Sequence, residues 1–171
     1  MKKAVMFLTL LLLTVASVSA QEIFGNWKRT EVEKGAKFTM FLNFVDETNV
    51  RFRAKGEIAE PEGGNITVTF TLKGTYAKKK KVLTFNYDKA SAKVTLDDIK
   101  FSGALAEAVK DNSELAKTVK KMAASGLDDL KNKMVDELNA HGTYNILSLT
   151  PTELKISAEN GEIEQYTRVG Q

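Results

Sequence analysis

From Trp27 to about Phe101 apolar and polar side chains alternate with a period of two. Phe38, Met40, Leu42 and Phe44 share one face, and Val50, Phe52 and Ala54 alternate with Arg51, Arg53 and Lys55. Ile66, Val68, Phe70 and Leu72 alternate with threonines and Lys73. Leu83, Phe85 and Tyr87 alternate with Val82, Thr84 and Asn86, and Val94 and Leu96 continue the pattern. Alternation of this kind predicts antiparallel strands with one buried face. The interruptions are short and rich in turn residues: Lys34-Gly35, Asp46 to Asn49, Pro61-Glu62-Gly63-Gly64, Lys78 to Lys81, and Asp88 to Ala90. Such connections suit hairpins, so strands adjacent in sequence are expected side by side in the sheet.

Between about 103 and 140 the period becomes helical. Leu105 and Val109 start one stripe, Leu115, Val119 and Met122 a second, and Leu127, Leu130, Met134 and Leu138 a third. The spacing puts each stripe on one helical face. Breaks at Asn112-Ser113 and Gly126 predict two or three helices. Ser125 and Asp128 are spaced as a capping box, and Asp129 and Lys133 as an i,i+4 pair. Strand alternation returns after His141-Gly142, with Thr150-Pro151 as a turn and Asn160-Gly161 as a type I′ hairpin signal. The total is about nine strands, with the helices inserted before the last three.

Several functions are disfavoured by composition. The 171 residues contain no cysteine and one histidine, His141, so neither a disulfide framework nor a His/Cys metal cluster is expected. A Ser-His-Asp triad would have to use His141, beside Gly142 at a helix exit. Asp97-Asp98 and Asp128-Asp129 are neighbours, which diverge on a strand or helix and so make no natural acid/base couple. No glycine-rich phosphate loop is present. No catalytic residue is therefore assigned, no metal or cofactor is expected, and the chain is read as a non-enzyme.

Met1-Lys2-Lys3, an apolar run from Ala4 to Val18 and the exit Val18-Ser19-Ala20 have the form of a secretory signal peptide cleaved after Ala20. The run is too short for a good spanning helix. Residues 21–171 are then expected as one domain, periplasmic or secreted, with no membrane-spanning segment. Removing Lys2 and Lys3 lowers the formal charge from +3 to +1, which gives no argument for a nucleic-acid partner. The lysine run at 78–81 is read as a solvated hairpin tip that discourages edge pairing.

A meander of about nine strands covers its edges by closing into an up-and-down barrel. At this point the chain resembles the calycins, the lipocalin and fatty-acid-binding-protein group, whose signature is Gly-x-Trp on the first strand with a basic residue near the end packing across the indole. Gly25-Asn26-Trp27 matches the first part, and Arg168 in Tyr166-Thr167-Arg168-Val169 is the candidate for the second. The ending from Ser148-Leu149-Thr150-Pro151-Thr152-Glu153-Leu154 to Val169 is also similar to exported lipocalin-like proteins of Bacteroidetes type. The resemblance implies a barrel of about 8–10 strands, with a rolled half-barrel or a sandwich as the alternative. It departs from the group in placing the helices between about the sixth and seventh strands. Gly25, Trp27 and Arg168 are read as structural, with Trp27 plugging one end.

The inward set Met40, Phe44, Phe52, Phe70, Phe85 and Tyr87 either lines a cavity or fills the barrel, since small barrels do both. The helical insertion is either a lid, a cover for an open sheet edge, or a partner surface. The expected function is binding of a small apolar or amphipathic ligand, with Tyr87 or a backbone group orienting its polar end. The alternative is an interaction or structural module with a filled barrel that uses the helices as its contact face.

Overall fold

The computed structural model describes residues 23–33, 35–60, 64–110 and 112–170. The leader expected over residues 1–20 lies outside them, as do Lys34 and Pro61 to Gly63 of two expected turns. The strands are β1 (Gly25–Glu33), β2 (Ala36–Phe44), β3 (Asn49–Glu60), β4 (Gly64–Lys79), β5 (Val82–Tyr87), β6 (Lys93–Phe101), β7 (Thr143–Leu149), β8 (Glu153–Ala158) and β9 (Ile163–Val169). Between β6 and β7 lie α1 (Gly103–Lys110), α2 (Ser113–Ser125) and α3 (Leu127–Ala140). The hydrogen-bonded order is β3-β2-β1-β9-β8-β7-β5-β4, and β4 returns to β3. The chain is therefore an eight-stranded closed antiparallel barrel, with β6 as an extra strand and the helices before the last three strands, consistent with a calycin-like all-β fold.

One link departs from the expected meander. β5 and β6 do not pair with each other. Both lie on the same edge of the long β4, β5 against Gly74 to Lys79 and β6 against Gly64 to Thr71. They are two halves of one strand, interrupted by a short 3-10 turn at Lys89–Ser91. That turn is tied to β4: Asp88 N–H donates to the Lys73 carbonyl at 2.9 Å, and Lys73 N–H donates to Ser91 Oγ at 2.9 Å. A 16-residue strand has room for two shorter ones along one edge, which period-two reading does not reveal.

The seam between β5 and β7 is short, covering Val82 to Thr84 against Thr143 to Asn145. Beyond it the end of α3 takes over. Phe85 N–H donates to the Gly142 carbonyl at 2.7 Å. The Asn139 side chain accepts from Tyr87 N–H at 2.9 Å and donates to the Tyr87 carbonyl at 3.2 Å, as a neighbouring strand would. The helical insertion thus completes the barrel wall on this side. It is anchored by Val135, which is fully buried in the core, with Met134 and Leu138 packed on that core.

The helical details correct three expectations. α2 and α3 do break at Gly126, but Ser125 Oγ donates to the Met122 carbonyl within α2 and α3 opens without a side-chain cap. The first-turn ion pair is Lys131 with Asp128 at 2.9 Å, one helical step from the expected Asp129–Lys133 pair. Leu130 and Met122 are 40% and 69% exposed; α3 turns the face bearing Met134, Val135 and Leu138 toward the barrel, which leaves Leu130 outside. At the expected break, Asn112 caps α2, its side chain accepting from Leu115 N–H at 3.0 Å. Leu105, from the first stripe, lies outside the described side chains.

One end of the barrel is solid. Trp27 is fully buried, with its indole N–H donating to the Ile23 carbonyl at 2.7 Å. Arg168, directly opposite Trp27 across the β1–β9 ladder, stacks over the indole at 4.3 Å and donates through Nη1 to the Phe24 carbonyl at 2.6 Å. Gly25 has φ +107°, and a Cβ there would stand 3.3 Å from Arg168 Nη1, so glycine serves both the turn and the close approach. Phe44, edge-on to Tyr76 with ring centres 4.8 Å apart, fills the space beyond.

The β2–β3 turn near this end is held by Asp46. Its carboxylate accepts from Asn49 Nδ2 at 2.7 Å and from the backbone N–H groups of Asn49 and Thr48 at 2.8 and 2.9 Å. These bonds, the Asn49 side chain's foremost, lower its pKa from the ordinary 3.8 to about 2. A depressed carboxylate stabilises the fold above its unfolded pKa, and that contribution disappears as pH falls through the folded value. The stability difference between the wild type and Asp46→Ala is therefore expected to be full at neutral pH and to vanish between about pH 4 and pH 2. Urea midpoints measured across that range check it; a difference independent of pH would contradict it.

Candidate functional site

The other end of the barrel is hollow. A cleft of about 250 Å³ opens between β1, β2, β3, α3 and the β8–β9 hairpin, and a smaller void of about 50 Å³ continues below it. Both are lined by Arg29, Met40, Phe52, Leu138, Tyr144 and Glu164. The exposed residues Glu137, His141, Asn160 and Glu162 form the rim, so the cleft meets solvent there.

The lining follows from strand parity. Trp27 fixes which face of β1 points inward, and Arg29, two residues on, must share that face. The same rule places Glu164 with the buried Tyr166 on β9, and Met40 with Leu42 and Phe44 on β2. Charge is thereby carried into the lumen. The Arg29 side chain is 12% exposed and meets Glu31 at 2.8 Å and Glu164, itself 12% exposed, at 3.8 Å. Its Nη2 contacts Met40 Sδ at 3.3 Å, and its plane lies 5.5 Å from the Tyr166 ring centre. The Tyr166 hydroxyl donates to Glu164 Oε2 at 2.6 Å.

Three tyrosines surround this pair. Burial, reinforced by the Glu164 charge, raises Tyr166 and Tyr144 well above the usual phenol range. Burial, then the neighbouring Tyr144 and Glu164, does the same for Tyr87. All three remain protonated near neutral pH and can donate. Tyr166 donates to Glu164; the Tyr87 hydroxyl has no hydrogen-bond partner among the described residues, although the residue is 6% exposed and lines the void. Arg29 Nε is buried without a partner among them. Leaving a buried donor unpaired costs about 1–3 kcal/mol, so the Arg29 orphan beside a cavity is unusual in a finished core.

Of the six expected lining residues, the structure brings Met40, Phe52, Phe85 and Tyr87 to the hollow end. Phe44 and Phe70 do not line it. Phe44 belongs to the solid end, and Phe70 is buried against Phe52 where β4 carries β6. Filled and hollow interiors thus coexist, one at each end. Sequence reading missed Arg29, Tyr144, Glu164 and Tyr166; the available signal was strand parity, with Arg29 two residues from Trp27, Tyr144 two from Ile146, and Tyr166 and Glu164 two and four from Arg168.

The wall outside the lumen is polar, with Lys28, Arg51, Arg53 and Lys73 pointing away from the barrel, where a membrane-spanning barrel presents an apolar band. Among the described residues no group of three His, Cys, Asp or Glu side chains is placed to hold a metal ion, and no helix is long and apolar enough to cross a membrane. No family model matches the chain, and no curated protein matches it.

Proposed function

We propose that the hollow end binds one small amphipathic molecule, and that the protein is an exported, lipocalin-like, non-enzymatic binder acting in the cell envelope or outside the cell. The observation that carries this reading is an open cavity whose wall holds Arg29 Nε, buried without a hydrogen-bond partner among the described residues, and the Tyr87 hydroxyl, which forms no hydrogen bond among them. The ligand's acceptor group completes their hydrogen bonding, and Met40, Phe52, Leu138 and Phe85 cover its apolar part. A total space of this size suits a molecule smaller than a typical drug. The Trp27–Arg168 stack supports the calycin resemblance, and the leader-like residues 1–20 support export.

Tyr87→Phe separates ligand binding from folding. The isolated protein should be as stable or slightly more stable, because the hydroxyl it loses has no partner there. Binding of an alkyl alcohol or carboxylate should weaken about 3- to 10-fold, the value of one hydrogen bond, while binding of a purely apolar probe stays unchanged. Displacement of a fluorescent apolar dye measures both; equal losses for polar and apolar ligands would refute the assignment.

A second reading has one observation in its favour. Met122 and Leu130 are exposed on successive helices of the insertion, as a contact face for another protein would require. Charged substitutions at both positions would abolish such an interaction and leave the cavity ligand untouched.

A further inference from the structure

We propose that the outer face of β1–β4 and β6 binds a linear acidic polysaccharide, a chain bearing sulfate, phosphate or carboxylate groups. This site is independent of the lumen. The strand registers align two rows across the sheet. One row runs Lys28, Phe41, Arg53, Thr71, Lys93, and the next runs Asn26, Asn43, Arg51, Lys73. Together they form a groove of about 550 Å³ lined by Arg51, Arg53, Lys73 and Lys93, with no acidic residue in its lining.

Of these cations only Arg53 feels a nearby carboxylate among the described residues, the Asp97 charge further along the face. None of the four forms an ion pair among the described residues. Two acidic side chains further along the same face have closer partners. Glu57 meets Lys55 and Lys37 at 3.0 and 3.8 Å, and Asp97 accepts from the Thr69 and Thr95 hydroxyls. Arg51 and Lys73 stand directly opposite each other on β3 and β4, a like-charge cross-strand pair that costs stability without serving the fold. A local rule broken with no structural return marks a functional surface. The overall charge hides this groove, because its cations are offset by carboxylates spread along the whole chain.

Geometry selects the class of anion. Strands about 4.8 Å apart place Lys28, Arg53 and Lys93 at intervals of about 10 Å across the sheet, a ladder for a chain with regularly spaced charges. Asn26, Asn43, Thr71 and Ser91 line the same groove and can exchange hydrogen bonds with sugar hydroxyls. A nucleic-acid strand needs an open aromatic platform. Phe41 does not offer one, since its ring is already engaged by Lys28 and Arg53 at 5.9 and 5.8 Å. A flat bilayer cannot follow the groove.

The test is titration of the protein with dextran sulfate, neutral dextran, single-stranded DNA and phosphatidylglycerol vesicles at low and high salt. Dextran sulfate is expected to bind, neutral dextran not to, and the affinity to fall steeply as salt rises. Arg51→Gln with Lys93→Gln should lower that affinity about 25-fold, roughly fivefold per charge. The melting temperature should hold or rise, because the Arg51–Lys73 repulsion is relieved. The proposal is overturned by absence of dextran sulfate binding at low salt, by DNA or vesicles binding at least as tightly, or by undiminished binding in the double variant.

Discussion

Trp27→Ala is expected to remove about 3–5 kcal/mol of stability, the range for deleting a large aromatic from a core. Trp27 is fully buried, and three contacts converge on it: the bond to the Ile23 carbonyl, the Arg168 stack and the surrounding apolar end wall. Removing the indole leaves a cavity and deprives the Arg168 guanidinium of its π face. A domain of this size has a total stability of about 5–15 kcal/mol, so the variant should be close to unfolding at physiological temperature. Urea denaturation followed by far-UV circular dichroism measures it. A loss under about 1 kcal/mol would show that the solid end does not hold the barrel together.

Val135→Asp is the second large effect. Val135 is the fully buried residue of α3, and α3 supplies the barrel wall beyond the short β5–β7 seam. A carboxylate there has no partner and costs on the order of 3–5 kcal/mol to bury. Displacement of α3 is the way to avoid that cost, and it would free Tyr87 N–H and C=O from Asn139 and remove Leu138 from the cavity wall. The expected result is early proteolysis within residues 103–140 and loss of ligand binding. Hydrogen-exchange protection should persist in β1, β2 and β9, whose pairing does not involve α3. Uniform loss of protection would mean that barrel and insertion unfold as one unit.

The strands were legible because a half-buried sheet writes its burial into alternation. Leu83, Phe85 and Tyr87 alternate buried and exposed along β5 as the sequence does. Gly25, Trp27 and Arg168 were legible for a different reason: a tight turn, a large aromatic and a terminal cation are conspicuous individually. The β5–β6 relation was hidden because alternation locates strands without naming their partners. The inward face of α3 was legible at Met134 and Leu138 but not at its edges, because Leu130 and Val135 both fit a helical stripe and only the tertiary fold decides which of them turns inward. The polar lumen was hidden for the opposite reason. Arg29 and Glu164 break the apolar-in rule, and a charged residue on a strand reads as outward until the parity of its neighbours is followed.

The central claim is that the hollow end is completed by a small ligand. Native mass spectrometry of the protein, purified gently from its native source, tests it most directly. The account predicts one reproducible additional mass per chain, removed by organic solvent and reduced in occupancy in Tyr87→Phe. Only the bare polypeptide mass in every charge state, for wild type and variant alike, would contradict it.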